Sequence, residues 1–104
     1  MRAIEIAIDA LFADPNIARD ALYRAQATGE TRTVRIVTKR PDEVLDFGDS
    51  RVVTATTVAE VRVSEVPEPR EGDTLEIGDA VFVVQGVPRG DAERLIWSLD
   101  LRPV

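Results

Sequence analysis

The chain holds no cysteine and no histidine. The first absence removes disulfides and thiolate metal sites. The second removes the commonest metal ligand and the commonest general base near neutral pH. No run of about 18 apolar residues occurs, so no helical membrane span is expected. The opening residues carry Arg2, Glu5 and Asp9 inside an apolar pattern and show no secretory cleavage pattern, so no signal peptide is expected. Catalytic signatures are missing as well. Gly86 to Gly90 fits neither a Walker nor a dinucleotide loop and has no lysine partner. There is no G-x-S-x-G elbow. Asp73, Glu76 and Asp79 sit in a turn-rich hairpin, where solvation accounts for them without a carboxylate pair. Asp42, Glu43, Asp46 and Asp49 lack the alternating spacing of a calcium loop. No cofactor, metal or enzymatic activity is expected.

A net charge of −6 argues against wrapping nucleic acid from outside, which needs a basic face. The 104 residues read as a single domain, with 1–19 forming a helix and turn and 20–104 a β-rich body. A chain of this size buries roughly two thirds of its unfolded surface and folds without staples.

The best-specified stretch runs from Gly72 to Leu101. It predicts strands at Thr74–Ile77, Val81–Val87 and Glu93–Leu101. Gly78-Asp79 supplies the first turn and 88–92 a longer second one. Leu95, Trp97, Leu99 and Leu101 alternate with Ile96, Ser98, Asp100 and Arg102, giving the last strand one apolar face. Upstream, Arg51 to Val66 is β-prone but longer than a common strand, so a bulge or bend is expected near Thr56-Thr57. Pro67 to Glu71 reads as an extended connector.

Residues 2–13 read as a short amphipathic helix with Ile4, Ile8, Leu11 and Phe12 on one stripe. That stripe either docks on the sheet or serves as a partner-binding arm. Pro15 ends the helix near Ala13. Beyond it the residues allow a second helix capped by Asp14, with a stripe of Ile17, Ala21, Leu22 and Ala25, or a strand at Ala21–Ala25. Thr31 to Arg40 reads as a β-branched strand carrying Arg32, Arg35, Lys39 and Arg40 and no acid. It is a solvated face balanced by acidic neighbours, or a contact for an acidic partner or passing DNA. Residues 41–51 form a long loop with Asp42, Glu43, Asp46 and Asp49 and the apolar Val44, Leu45 and Phe47. Those apolar residues either tuck beneath the loop or meet a neighbouring subunit.

Gly72-Asp73-Thr74-Leu75, Ile77-Gly78, Phe82, Val84 and Val87, followed by a polar loop and Leu95-Ile96-Trp97, resemble the C-terminal half of the head–tail joining proteins of long-tailed phages, the lambda-type head-completion family. Leu11-Phe12-Ala13-Asp14-Pro15-Asn16 and Arg40-Pro41-Asp42-Glu43 look like the matching parts of small prophage proteins of that kind. The close likeness covers about 30 residues, and the rest agrees in layout. The resemblance implies a mainly β, antiparallel small barrel or sandwich with a short N-terminal α-helix, and favours the strand at 21–25. It implies a structural virion subunit that joins a ring around the DNA channel, contacts a portal or adaptor ring and tail proteins, and lets DNA pass without specific binding. Assembly in the bacterial cytoplasm follows from the same likeness. The residues picked out as contacts are Ile4, Ile8, Leu11, Phe12, Arg32, Arg35, Lys39, Arg40, Asp42, Glu43, Leu45, Asp46, Phe47 and Asp49. A tail-tube-like or tail-terminator-like subunit is the neighbouring reading, and a bacterial ligand-binding β-domain the independent one. A ligand cavity around Phe82 and Trp97 would favour the last.

Overall fold

Alternating apolar and polar residues put one face of each β-prone run against its neighbours, and in this chain the runs close on themselves. A computed structural model describes residues 3–39 and 57–104. Helix α1 spans Ala3–Ala13, followed by β1 Arg19–Arg24, β2 Thr31–Lys39, β3 Thr57–Arg62, β4 Thr74–Ile77, β5 Ala80–Gly90 and β6 Ile96–Pro103. The strands form a closed antiparallel barrel in the order β1-β2-β3-β6-β5-β4, with β4 returning to β1. Closure removes the exposed edges that an open sheet of six strands would leave.

The barrel interior is a filled core. Val34, Ile36, Ala59, Val61, Leu75, Leu99 and Leu101 are fully buried, and Ala21, Tyr23, Ile77 and Val84 nearly so. Each strand contributes alternate residues, as in Leu99 and Leu101 of β6 and Ala59 and Val61 of β3. Phe82 and Trp97 pack against this core from its margin. The expected apolar face of the last strand is therefore real, with Trp97 partly rather than fully covered.

Asp14 stops α1. Its amide donates to the Leu11 carbonyl, its own carbonyl accepts from Ile17 and Ala18, and its carboxylate accepts from the Asn16 amide at 2.8 Å. This single turn consumes the residues that a second helix would have needed, and the chain enters β1 at Arg19. The strand favoured by the family resemblance is the one that forms, two residues earlier than expected at its start. Between β4 and β5 the turn runs through Gly78, whose φ of 63° suits a residue without a Cβ.

Other strand boundaries also differ from the sequence expectation, three of them for a clear local reason. β5 continues through Pro88 to Gly90, because a register shift between Gln85 and Arg89 lets it pair again with β6. Gly86, at φ 78°, supplies the distortion. The last strand then starts at Ile96, not Glu93, because the Asp91 carboxylate accepts the amides of Leu95 (2.8 Å) and Ile96 (3.1 Å) and holds a turn there. β3 ends at Arg62, not Val66. The amides of Glu65 and Val66 both donate to the Arg62 carbonyl at 3.0 Å and bend the chain out of the sheet. The bulge expected near Thr56-Thr57 falls at the margin of the described residues; the described bulge is the one in β5.

Candidate interaction surface

One side of the barrel carries α1, and two arginines hold it there. The Phe12 ring is fully buried. Its carbonyl accepts the Arg35 Nε–H at 2.8 Å, while the same guanidinium donates to Ala18 O at 3.3 Å and to Asp20 Oδ1 at 3.0 Å. The first of these bonds satisfies a carbonyl of the last helical turn, and the other two tie the same guanidinium to the chain entering β1. Arg62 lies over the Phe12 ring with its Cζ 5.4 Å from the centroid. Its Nη1 reaches Asp9 at 3.1 Å and its Nη2 reaches Glu65 at 3.0 Å. Burial works to lower the pKa of this guanidinium, but the hydrogen bonds to Glu65 and Asp9 outweigh it and raise the pKa. A cation stacked on a desolvated ring and tied to two carboxylates fixes helix, strand and turn together.

The basic strand is thereby largely consumed by the fold. Arg35 faces the helix end. Arg32 Nη1 donates to the Glu65 carbonyl at 2.6 Å, and Lys39 pairs with Glu60 at 3.3 Å. Glu65 also accepts the Arg35 backbone amide at 3.0 Å, so one acid serves both the strand and Arg62.

A second polar centre lies at one end of the barrel. Asp73 is 3% exposed. It accepts the Tyr23 hydroxyl, the Gln26 amide at 2.9 Å and the Arg70 amide at 2.9 Å. Burial pushes the Tyr23 phenol well above its ordinary value, and the Asp73 carboxylate adds to the shift. From sequence alone Asp73 has the context of a solvated hairpin acid. It is instead the buried acceptor that ties the β1–β2 turn to the connector before β4. Beside it lies an open groove of about 420 Å3 that includes Tyr23, Ala25, Arg32, Val66, Pro67 and Arg70 in its lining. On the opposite stretch of sheet, Arg89 and Asp100 form a two-pronged pair at 2.9 and 3.1 Å that holds the Asp100 carboxyl below its usual range.

The stripe expected on α1 is divided. Phe12 docks, Ile8 is half-buried, and Ile4 and Leu11 remain 43% and 39% exposed. Phe12 is thus an anchor for the helix and has no free surface to offer a partner. Ile6 at 55% exposure and Ile17 at 44% add apolar surface that the stripe did not include. The signal was present in the spacing of Glu5 and Asp9: at i and i+4 they share a helix face and leave the remainder apolar. Arg62 was also missed, since an arginine in a β-run reveals its stacking partner only after folding. Arg40, Asp42, Glu43, Leu45, Asp46, Phe47 and Asp49 lie outside the described residues.

Among the described residues, no cluster of three or more His, Cys, Asp or Glu is placed to hold a metal ion. No described helix is long and apolar enough to cross a membrane. No curated protein matches the chain. A family model does, that of the phage head-tail attachment protein, and the match runs over residues 1–101. The order of parts it covers is the one built above, from the helix with its arginine clamp to the closing strand of the barrel. The chain belongs to the phage head-tail attachment protein family, a family of virion structural proteins that joins head to tail.

Proposed function

We propose that the chain is a non-catalytic ring subunit at the head–tail interface, surrounding the channel through which DNA passes. The observation that carries this reading is the family match over nearly the whole chain. On this reading the subunit binds a portal-side adaptor ring on one face and tail proteins on the other, self-associates into the ring on assembly, and is assembled in the host cytoplasm. A closed barrel suits such a part, because it stays rigid and leaves no open sheet edge to pair wrongly. Net charge of −6 suits a channel wall that repels phosphate, so that DNA slides without adhering. The acidic 41–51 segment is the candidate for the lumen. Packing of Phe82 and Trp97 against the core favours this reading over a ligand-binding β-domain built around those two residues.

The direct experiment adds the purified protein to DNA-filled heads and free tails. Joined particles should form, with a ring of this protein at the junction. Heads and tails that stay apart, or a joined particle lacking the protein, would contradict the proposal. Replacing Asp42, Glu43, Asp46 and Asp49 by Ser should leave the fold intact and impair DNA retention or infectivity; unchanged yield would remove the loop from the channel wall.

A further inference from the structure

Helix α1 is polar on the wrong side. Of its eleven residues only Glu5 and Asp9 are charged. Asp9 is directed to Arg62 of the barrel, and Glu5 is half-buried and also engaged. Apart from Asp9, every exposed residue of the helix is Ala, Ile or Leu: Ala3, Ile4, Ile6, Ala7, Ala10, Leu11 and Ala13. A surface helix ordinarily shows the reverse order, and one that is apolar on all sides is normally buried. Among the described residues the barrel takes only the Phe12 side, and the outward face has no apolar cover.

We infer that this outward face seats in an apolar, helix-sized groove on a neighbouring protein of the head–tail junction, and that cations rim this groove. The inference rests on the proposed joining role. Two features of the molecule select this occupant over a second copy of the same chain. The helix is about 16 Å long and about 10 Å across. Two such faces in contact cover far less than the roughly 800 Å2 per partner of a stable association. The surroundings are also acidic. Asp20 beside the helix end is 68% exposed at its side chain and Asp9 51%; each has one arginine partner in the barrel, and the chain as a whole carries −6, so a second copy brings like net charge to the seam. A cation-rimmed groove meets those carboxylates and receives Ile4, Ala7 and Leu11, spaced i, i+3 and i+7, in the manner of helix-in-groove recognition.

The test uses the full chain with Ala7→Glu and Leu11→Glu, one at a time, and Leu11→Met as the conservative control. Sedimentation with purified DNA-filled heads and, separately, with purified tails reads the affinity. Both Glu variants should keep the wild-type melting curve and lose binding to one of the two partners by about 30-fold or more, since a lone carboxylate would enter an apolar groove. Leu11→Met should bind within about threefold of wild type. Glu variants that bind like wild type overturn the inference while leaving the joining role standing. Wild-type protein that binds neither heads nor tails overturns both. Concentration-dependent dimerisation of the wild type, abolished by the Glu variants with head and tail binding unchanged, assigns the face to a second copy and overturns the inference. Variants that unfold show that the face supports the barrel, and this too overturns it.

Discussion

The barrel and helix α1 treat apolar residues in opposite ways. In the barrel, Leu99, Leu101, Val61 and Ile36 point inward and reach zero exposure, while charged neighbours such as Arg89 and Asp100 pair on the outside. In the helix, Asp9 reaches Arg62 of the barrel, Glu5 is half-buried, and most of the apolar residues are exposed. The barrel has solved its own burial problem. The helix has solved only half of it, through Phe12, Arg35 and Arg62. In a protein whose family joins head to tail, the unsolved half is where contact with other proteins is to be sought.

The comparison is broken most severely from the barrel side. Leu99→Ala removes a fully buried side chain at the centre of β6. It should lower global stability by about 3–4 kcal/mol, read as a shift in the urea midpoint at unchanged slope. A loss below about 1 kcal/mol would mean that the barrel core is not the folding unit.

Phe12→Ala strikes the seam between the two regions. It should release α1 while the barrel persists, because the helix reaches the barrel chiefly through that ring and the two guanidinium groups. Hydrogen exchange is the measurement. Amides of the helix should lose protection by about 100-fold or more, and those of β3 and β6 should keep theirs. Uniform loss across both regions would show one cooperative unit in which the helix is part of the core.

The Tyr23–Asp73 centre gives a smaller, pH-dependent effect confined to the barrel. The folded state holds the phenolic proton more tightly than the unfolded chain, whose value is near 10.0. Its contribution is therefore complete below pH 10 and is lost as pH rises above it. The stability should fall with a slope approaching about 1.4 kcal/mol per pH unit for this one group. Tyr23 is the chain's single tyrosine, so phenolate absorbance reports it alone. Thermal melts from pH 8 to 11.5 should show the slope in the wild type and a weaker one in Tyr23→Phe. Ionisation near pH 10 in the folded protein would contradict burial of the hydroxyl against Asp73.

The smallest expected stability change belongs to Leu11→Ser on the outward face. Leu11 lies outside the buried core and is 39% exposed, so the melting free energy should move by no more than about 1 kcal/mol. A loss above about 2 kcal/mol would place Leu11 in the core and remove the contrast between the two regions.

Much of the barrel was legible in the residues. The alternation through Leu99 and Leu101, the turn at Gly78-Asp79 and the break at Pro15 each rest on local chemistry, and local chemistry is what sequence displays. The register shift at Gln85 to Arg89 was not legible, since it depends on which residues of β6 lie opposite. Nor was β1 given by periodicity, because the spacing of Ile17, Ala21 and Leu22 slightly favours a helix, and the strand forms instead. The likeness to head–tail joining proteins tipped that choice. Site residues fared according to their partners. Arg35 and Lys39 were visible as cations, yet their use against Phe12, Asp20 and Glu60 is set by folding. Tyr23 and Asp73 are 50 positions apart, and no local pattern joins them.

The central claim is that the chain stands as a ring at the head–tail junction with the outward face of α1 covered by a neighbour. Cryo-electron microscopy of the joined particle addresses it directly. The account predicts a ring of six-stranded barrels around the DNA, with Ile4, Ile6, Ala7 and Leu11 in contact with a different protein. A junction without this chain, or a ring whose outward helix face is bathed in solvent, would contradict it.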